Sequence, residues 1–474
     1  MQLHIAESEQ EICMHLQNAA EELGLQAFLV GGFVRDRLLE RQCKDIDVVA
    51  VGSGIALAEA FAQRFQPALH VVVYEKFGTA AVHYKDFEIE FVGARRESYS
   101  RDSRKPVVEN GSLEDDQNRR DFTINALAMS LNKENFGEIL DSFGGLKDLE
   151  EGTIITPLEP EITFSDDPLR MMRAVRFAAQ LNFRIHPTTL AAIAAQKERI
   201  RIISQERITT ELQKIMQSPQ PSIGFKLLYK TGLLKLIFPE LNAMGGVEEV
   251  QGIKHKDNFY HTMQVVDRIA ERTDNVWLRW AALLHDIGKP VTKRFDPQSG
   301  WTFHGHEAVG ARMVRKIFQK LKLSLGAELR YVSKLVDMHA RPVALSKENI
   351  TDSALRRLLV ESGEDLEDLL LLCEMDSTTQ YEEKRRRYAQ NLSDLKEKIE
   401  QLEAKDILRN WQPPVSGDDI MEIFQLSPSQ IVGQLKTAIR EAILDGIVDN
   451  TREAALAYLY EQAAKINIYP KIKS

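Results

Sequence analysis

Cysteine is scarce: Cys13, Cys43 and Cys373 are the only three in 474 residues. Scattered and odd in number, they can build neither a disulfide framework nor a Cys-rich zinc site, which fits a reducing cytosol. Long hydrophobic runs are also missing. No stretch approaches the roughly 18 consecutive apolar residues of a membrane span. The opening MQLHIAESEQEICMHLQ has no basic segment followed by an apolar run; it reads as an amphipathic helix rather than a signal peptide. An excess of positive charge is lacking too, since 61 Lys+Arg against 70 Asp+Glu leave −9. That argues against a strongly basic, non-specific nucleic-acid binder while leaving room for a local basic face. What is there, 43% hydrophobic and 28% charged residues, is the composition of a globular protein of about three domains. A cytoplasmic protein with no membrane association is expected.

The first part of the chain mixes strand and helix signals. Ala27–Val30, Ile46–Val51, Leu69–Tyr74, Ala80–His83 and Phe87–Val92 read as strands, and the stretches between them as helices. An α+β unit is predicted up to about residue 155, with Ser100–Asp116 as a polar, mobile loop. After Pro160 the strand signal almost vanishes. Leu169–Leu181, Pro187–Ala195, Arg207–Met216 and Ile223–Thr231 carry apolar residues at helical spacing. From about residue 165 an all-α chain is expected, including a charged helix at Glu382–Ala404, a linker at Trp411-Gln-Pro-Pro and a helical end from about Gly417. No internal repeat or low-complexity segment is present.

Three groups of residues carry chemistry. In the first, a strand runs into Gly31-Gly32, followed by Arg35 and then by Asp45-Ile46-Asp47. Two glycines let backbone approach a phosphate, and a helix start after them offers unpaired N–H groups to the same anion. Side chains alternate along a strand, so Asp45 and Asp47 share one face. Paired carboxylates on a rigid face suit Mg2+, and two such ions can clamp the oxygens of phosphoryl transfer. Glu88 and Glu90 alternate in the same way, and Glu90 is the preferred third carboxylate. A lone Asp-x-Asp is commonly a solvated strand edge. Within a β-branched strand, carboxylates are costly unless paired or metal-bound, and the glycine turn lies just upstream.

The second group is Asp167, Arg170, Arg173 and Arg176, three apart and so able to share a broad helix face. A carboxylate accepts hydrogen bonds and a guanidinium only donates. Asp167 and Arg170 together can match the donor–acceptor edge of cytosine or adenine. Between Asp166 and Arg207 eight Lys/Arg face four Asp/Glu, a local excess that suits a phosphate-rich partner. The third group is His261, His285-Asp286, His304-Gly-His306, His339 and Asp376. Imidazole and carboxylate together are good ligands for transition metals. His285-Asp286 ends an apolar helical run, so a bundle would bury both, and a buried Asp beside a His calls for a metal.

Gly-Gly-x-Val-Arg-Asp with Asp-x-Asp resembles the nucleotidyltransferase head of class II tRNA CCA-adding enzymes and bacterial poly(A) polymerases, members of the DNA polymerase beta-like superfamily. The likeness continues, in order, through Arg119-Arg120-Asp121-Phe122-Thr123-Ile124-Asn125-Ala126, Asp141-Ser-Phe-Gly-Gly-Leu-Lys-Asp, Asp167-Pro-Leu-Arg170-Met-Met-Arg173-Ala-Val-Arg176-Phe and Glu206-Arg207-Ile-Thr-Thr-Glu211. It implies that Arg120 and Asp121 touch the nucleotide and that Asp167 and Arg170 act as a protein template for the incoming base. Arg173 and Arg176 then face phosphates or steady the template, and the polar loop before Arg119 allows the switch from C to A. The family's usual Glu before the template Asp is Asp166 here. The His/Asp group resembles an HD phosphohydrolase domain, with His261, His285, Asp286 and Asp376 as core ligands, His306 and His339 as further ligands and His304 as an alternative. The segments at Ser416-Gly-Asp-Asp and Ile431–Gly446 resemble the tail of long bacterial CCA-adding enzymes, which helps grip tRNA. The basic run Lys384–Arg387 is either a solvated helix face or an RNA contact.

The expectation is therefore an α+β nucleotidyltransferase head at 1–155, an all-α neck at 156–235, a helical HD domain at 236–400 and a helical tail at 401–474. The enzyme would add CCA to tRNA from CTP and ATP with Mg2+. Gly31, Gly32, Arg35, Arg120, Asp121, Asp167, Arg170, Arg173 and Arg176 would bind nucleotide, Asp45, Asp47 and Glu90 would be catalytic, and the HD site would hold a transition metal. Competing readings are a poly(A) polymerase, an enzyme adding only CC or only A, an HD phosphohydrolase with an RNA-binding head, and a non-catalytic RNA-binding protein.

Overall fold

A computed structural model describes residues 3, 5–100, 103–345, 351–378, 382–405 and 411–470. The chain forms two compact units that divide between Asn242 and Ala243.

The first unit opens with α1 (Glu7–Glu22), β1 (Gln26–Val30), α2 (Gly32–Leu38), β2 (Asp45–Val51) and α3 (Gly54–Ala62). Then come β3 (Val71–Tyr74), β4 (Thr79–Tyr84), β5 (Phe87–Gly93), β6 (Arg95–Ser100), β7 (Ser103–Asn110), α4 (Leu113–Asn118), β8 (Ala128–Ser130) and β9 (Ile139–Leu140). Seven strands form one mixed sheet in the order β3-β4-β5-β2-β1-β8-β9. Its pairs are antiparallel except β2 with β5, which is parallel.

Strand alternation gives this sheet two unlike faces. Ala27, Leu29, Ile46, Val48, Ala50, Ile89 and Phe91 are fully or almost fully buried. They lie on the face where α1 and α3 pack, with Phe61 of α3 5.6 Å from Phe91. Phe28, Val30 and Val49 project the other way and form a smaller cluster with Ala94 and Ala128. Asp45 and Asp47 share this second face with Val49. The registers Asp45↔Glu88 and Asp47↔Glu90 set four carboxylates side by side on it.

Beyond the sheet come α5 (Gly145–Glu150), β10 (Thr153–Ile154), α6 (Pro160–Asp166), α7 (Leu169–Leu181), β11 (Arg184–Ile185), α8 (Pro187–Gln196), α9 (Gln205–Met216), α10 (Pro221–Thr231), α11 (Leu233–Ile237) and α12 (Pro239–Asn242). Helix α7 is buried on most sides, packs on α9 and α10, and ends at Asn182 in the left-handed region, φ 57°.

The second unit holds β12 (Glu249–Val250), β13 (Ile253–Lys254), α13 (Asn258–Ala270), α14 (Val276–Leu284), α15 (Lys289–Thr292), β14 (Arg294–Asp296), β15 (Gly300–Thr302), α16 (His306–Lys320) and α17 (Ala327–Met338). It continues with α18 (Arg341–Leu345), α19 (Asp352–Ser362), α20 (Leu366–Asp376), α21 (Glu382–Lys405), α22 (Gly417–Phe424), α23 (Gln430–Leu444) and α24 (Arg452–Lys465). The last three helices share a core of Ile420, Phe424, Leu435, Ile439, Ala455 and Leu459. Among the described residues no helix is long and apolar enough to cross a membrane.

Two sequence expectations need correction. The segment 100–116 is not a plain loop: β7 pairs with β6, and α4 follows, capped by Ser112; residues 101 and 102 lie outside the described residues. A two-stranded ribbon is held by backbone hydrogen bonds and needs no apolar alternation to announce it. The chain after residue 165 is not purely helical either. The parallel pair β10–β11 and the hairpins β12–β13 and β14–β15 are two or three residues per strand, too short to show a period of two. In the basic run, the side chains of Lys384 and Arg385 lie outside the described residues, while Arg386 pairs with Glu382 at 2.6 Å.

Gly54 starts α3 in a space with no room for a side chain. A Cβ there would stand 2.6–2.8 Å from the backbone of Val92 and Gly93. We expect Gly54→Ala to cost about 1–3 kcal/mol through overpacking, read as a lower urea midpoint for the first unit; an unchanged midpoint would contradict this close approach.

Candidate active site

The carboxylate face of the sheet opens into a cleft of about 850 Å3. Its walls include Gly31, Gly32, Arg35, Asp45, Asp47, Glu88, Glu90, Arg120, Asp121, Asp167, Arg170, Arg173 and Arg176. Every residue proposed from sequence for nucleotide or Mg2+ thus meets in one place.

The sheet brings like charges together. Burial pushes the Asp47 carboxyl above its ordinary pKa, Asp45 and Asp116 add to this, and Arg120 and Arg173 oppose it. Glu90 is raised by burial and by the charges of Asp47, Glu88 and Asp45. Carboxylates opposite one another repel and destabilise a sheet, and a cation among them would relieve that repulsion. Hard oxygen donors of this kind suit Mg2+.

Gly31 turns the chain out of β1 with φ 73°. A Cβ there would meet both Arg120 Nη1 and Asp47 Oδ2 at 2.9 Å. The glycine therefore leaves the gap in which a carboxylate and a guanidinium approach each other. Arg120 is aimed by Asp116, a fully buried residue of α4. One Asp116 oxygen accepts from Arg120 Nε and Nη2, both at 3.0 Å, and the other from Arg119 Nε at 2.9 Å. Burial favours protonation of Asp116, but the two arginine charges outweigh it and hold its pKa below the ordinary value.

Asp121 and Asn125 tie the glycine turn to α7. Asp121 Oδ1 accepts from Asn125 Nδ2 at 2.9 Å, and Oδ2 accepts from Arg173 Nε at 2.6 Å. Asn125 Oδ1 in turn accepts from Arg35 Nη1 at 2.7 Å, while Arg35 Nε and Nη2 donate to Asp36, both at 2.9 Å. Asp121 and Arg35 line the cleft, yet their polar atoms are largely taken up by protein partners. Arg176 forms an ion pair with buried Glu211 of α9 at 3.1 Å.

Asp167 lies just before α7, its Oδ1 accepting from the Leu169 amide at 3.1 Å, while Oδ2 lies 3.9 Å from Arg207. Arg170 is 9% exposed. Its Nη1 and Nη2 donate to the carbonyls of Thr163, at 3.3 Å, and Arg119, at 2.5 Å. A guanidinium has five N–H donors, and two of them anchor the group. Sequence reasoning missed the supporting residues Asp116, Asn125, Glu211 and Phe177. Glu211 and Asn125 lie inside the matched motifs, but their partners are 35 and 90 residues away in the chain, and spacing carries no sign of that.

The second unit holds the His/Asp group. His261, His285 and Asp286 form one set of potential ligand atoms within 4.8 Å of each other, and Asp286, His306 and His339 form another. Asp376 Oδ1 stands 2.8 Å from His261 Nε2 and 3.3 Å from His285 Nε2. His304 is exposed and belongs to neither set. Three rings are held alike. Nδ1 of His285, His306 and His339 donates to the carbonyl three residues back, at 2.7, 2.9 and 2.7 Å. Each Nε2 is thereby turned towards Asp286, at 3.2 Å from His285, 3.4 Å from His306 and 3.9 Å from His339. Among the described residues the buried His285 Nε2 has no hydrogen-bond partner. Imidazole nitrogens and carboxylate oxygens converging on one place are a donor set that fits a metal. Lys289 and Lys256, unnoticed in the sequence, stand beside it: Lys289 Nζ donates to Asp286 Oδ2 at 2.6 Å, and Lys256 Nζ lies 2.9 Å from His261 Nδ1.

The buried Asp121–Arg173 pair has a consequence for acid stability. Burial alone would raise the Asp121 pKa, but the Arg173 charge and the hydrogen bonds from Asn125 and Arg173 bring it down to about 2. The unfolded carboxyl titrates near ~3.9. The stabilisation is therefore full above that value and lost as pH falls towards about 2. We expect Asp121→Asn to lower Tm at pH 7 and to weaken the fall of Tm between about pH 4 and pH 2. Parallel acid limbs for the two proteins would contradict the assignment.

The chain matches the family models described as "Poly A polymerase head domain" over residues 27–155, "Probable RNA and SrmB- binding site of polymerase A" over 182–244 and "HD domain" over 258–379. It is 32% identical over 378 residues to the "Multifunctional CCA protein" of Nitrosococcus oceani, covering 74% of this chain and 84% of that one. It is 33% identical over 356 residues to the "A-adding tRNA nucleotidyltransferase" of Deinococcus radiodurans, with 72% and 78% covered. Among solved structures, the Bacillus stearothermophilus CCA-adding enzyme in complex with CTP superposes with a TM-score of 0.65 at 25% identity, covering 98% of this chain and 99% of that one. With its carboxylate-faced sheet, arginine-lined cleft and HD cluster, the chain belongs to the family of tRNA nucleotidyltransferases that includes the CCA-adding and A-adding enzymes.

Proposed function

We propose that this protein adds C, C and A to the 3′ end of tRNA from CTP and ATP, without a nucleic-acid template. The observation that carries the reading is a single cleft lined by both the Asp45/Asp47 pair and the Asp167/Arg170 pair. One nucleotide can then have its phosphates at the carboxylates and its base at the selecting pair. In the reaction the tRNA 3′ oxygen bonds to the α-phosphorus, the bond to the β-phosphate breaks, and pyrophosphate leaves.

Asp45 and Asp47, with Glu90 as a third carboxylate, would hold Mg2+, which when bound supplies Lewis-acid stabilisation of the phosphoryl oxygens. Arg35, Arg120, Arg173 and Arg176 would set positive charge against the triphosphate, and the turn at Gly31-Gly32 would let backbone approach it. Asp121 acts by holding Arg173. Cytosine and adenine both present an amino donor next to a ring-nitrogen acceptor; uracil and guanine present the reverse order. An accepting Asp167 and a donating Arg170 therefore suit C and A and oppose U and G.

In the second unit we propose a metal-dependent phosphoester hydrolysis at the HD cluster, with His261, His285, Asp286, His306, His339 and Asp376 as ligands to a transition metal. The division into a head at 1–155, neck at 156–235, HD domain at 236–400 and tail at 401–474, and a cytoplasmic location, complete the proposal. The A-adding relative keeps open a narrower specificity, which product sequencing decides.

The direct test is incubation of tRNAs ending before CCA, after C and after CC with each nucleotide, followed by sequencing of the products. We expect all three additions. Extension only of the CC-ended tRNA would assign an A-adding enzyme, and long A tails a poly(A) polymerase. Asp45→Ala and Asp47→Ala should each reduce incorporation by about 10³-fold or more while tRNA binding persists; wild-type rates would remove the metal role. Arg170→Ala should spoil discrimination between CTP and UTP by more than it weakens RNA affinity. His285→Ala with Asp286→Ala should leave nucleotide addition intact while abolishing any HD activity.

A further inference from the structure

Three of the cleft arginines gather around one aromatic side chain. The guanidinium carbon of Arg176 lies 4.2 Å from the ring centroid of Phe177, that of Arg35 4.9 Å and that of Arg173 5.5 Å. All three fall inside the ~6 Å range in which a cation is attracted by an aromatic face. The ring is 6% exposed, lines the cleft and meets Phe122 edge-on at 5.9 Å and 85°.

The arginines come from separate places, Arg35 from α2 and the other two from α7. Each has its own carboxylate: Asp36 for Arg35, Asp121 for Arg173 and Glu211 for Arg176. Each of these ion pairs is with a different carboxylate, whereas one ring lies near all three cations. Their mutual repulsion is real. Burial first, then the charges of Arg173 and Arg35, lower the Arg176 pKa to about 10, against the support of Glu211 and Asp121.

We propose that Phe177 is a positioning residue for the triphosphate, its ring holding Arg35, Arg173 and Arg176 together without adding a further negative charge. A fourth carboxylate at this point would gather the arginines equally well but add net negative charge where the phosphates are received. An aliphatic side chain would fill the volume without opposing the repulsion. An aromatic ring is neutral overall and negative on its faces, so it does both. In the sequence Phe177 is simply an apolar position of an amphipathic helix; its role comes from Arg35, which lies 142 residues upstream.

This inference rests on reading the cleft as a nucleoside triphosphate site, and the test separates the two. The full-length protein is made with phenylalanine, 4-fluoro-, 3,5-difluoro- or 3,4,5-trifluorophenylalanine at position 177. Fluorine withdraws charge from the ring face with little change in volume. Calorimetry with CTP and Mg2+ gives Kd, single-turnover incorporation gives the rate at saturating CTP, and melting gives Tm. We expect Kd to rise stepwise with fluorine number, reaching about tenfold, the order of one to two cation–π contacts, with a much smaller change in saturated rate and constant Tm. Phe177→Leu should weaken CTP binding at least as much, and Phe177→Tyr should restore it. A flat Kd across the series, or one that moves only in step with Tm, would reduce Phe177 to packing and overturn the proposal. If the natural protein binds no CTP, the reading of the cleft falls, and this inference with it.

Discussion

Repulsion among carboxylates is the constraint around which the first unit is organised. Parallel pairing of β2 with β5 puts Asp45 beside Glu88 and Asp47 beside Glu90, on the face of the sheet that α1 and α3 leave uncovered. A sheet under no functional demand would not keep such a block, because each like-charge pair opposes the pairing that creates it. Here the block persists because the opposite face is packed with Val48, Ile89, Phe91 and Phe61. Burial on one face thus maintains charge on the other. Burial first, and the neighbouring carboxylate charges after it, raise the carboxyl groups of Asp47 and Glu90.

The rest of the cleft supplies positive charge without cancelling that arrangement. Asp116, Asp121 and Glu211 are buried acids, each binding arginines that line the cleft. They fix the directions of long side chains that would otherwise lose considerable rotamer freedom on meeting a ligand. Arg170 is held in a similar way. Arg170 is anchored on two main-chain carbonyls, one of them that of Arg119. Because Arg119 and Arg120 share Asp116, the residue that aims Arg120 also lies two contacts from Arg170. The Arg120 and Arg170 sides of the cleft are thus one connected hydrogen-bonded structure, and preorganisation of this type is where binding and catalysis gain most.

Much of this was legible in the sequence because it is written locally. Gly31-Gly32, Asp45-x-Asp47 and the three-residue spacing from Asp167 to Arg176 are short-range patterns that state a turn, a strand face and a helix face. Strands β1 to β5 of the large sheet and the helix at 169–181 followed from apolar periodicity, whereas the short β8 and β9 of the same sheet did not. The ribbon β6–β7 and the hairpins β12–β13 and β14–β15 did not, since backbone pairing alone holds strands too short or too polar to show a period. Supporting residues were hidden for another reason. Asn125 serves Arg35, Glu211 serves Arg176, and Lys256 reaches His261 only after folding. In the HD cluster the ligands were readable, but not the uniform ring orientation of His285, His306 and His339, which depends on carbonyls of the helical turns that carry them.

The central claim is that the acidic strand pair and the Asp167/Arg170 pair serve the two ends of one nucleotide. Anomalous diffraction from crystals grown with Mn2+ and a non-hydrolysable CTP analogue tests it directly. The account predicts manganese bound to Asp45 and Asp47, with the triphosphate beside them and the cytosine amino edge against Asp167. Manganese bound elsewhere in the first unit, or a cytosine seated away from Asp167 and Arg170, would contradict it.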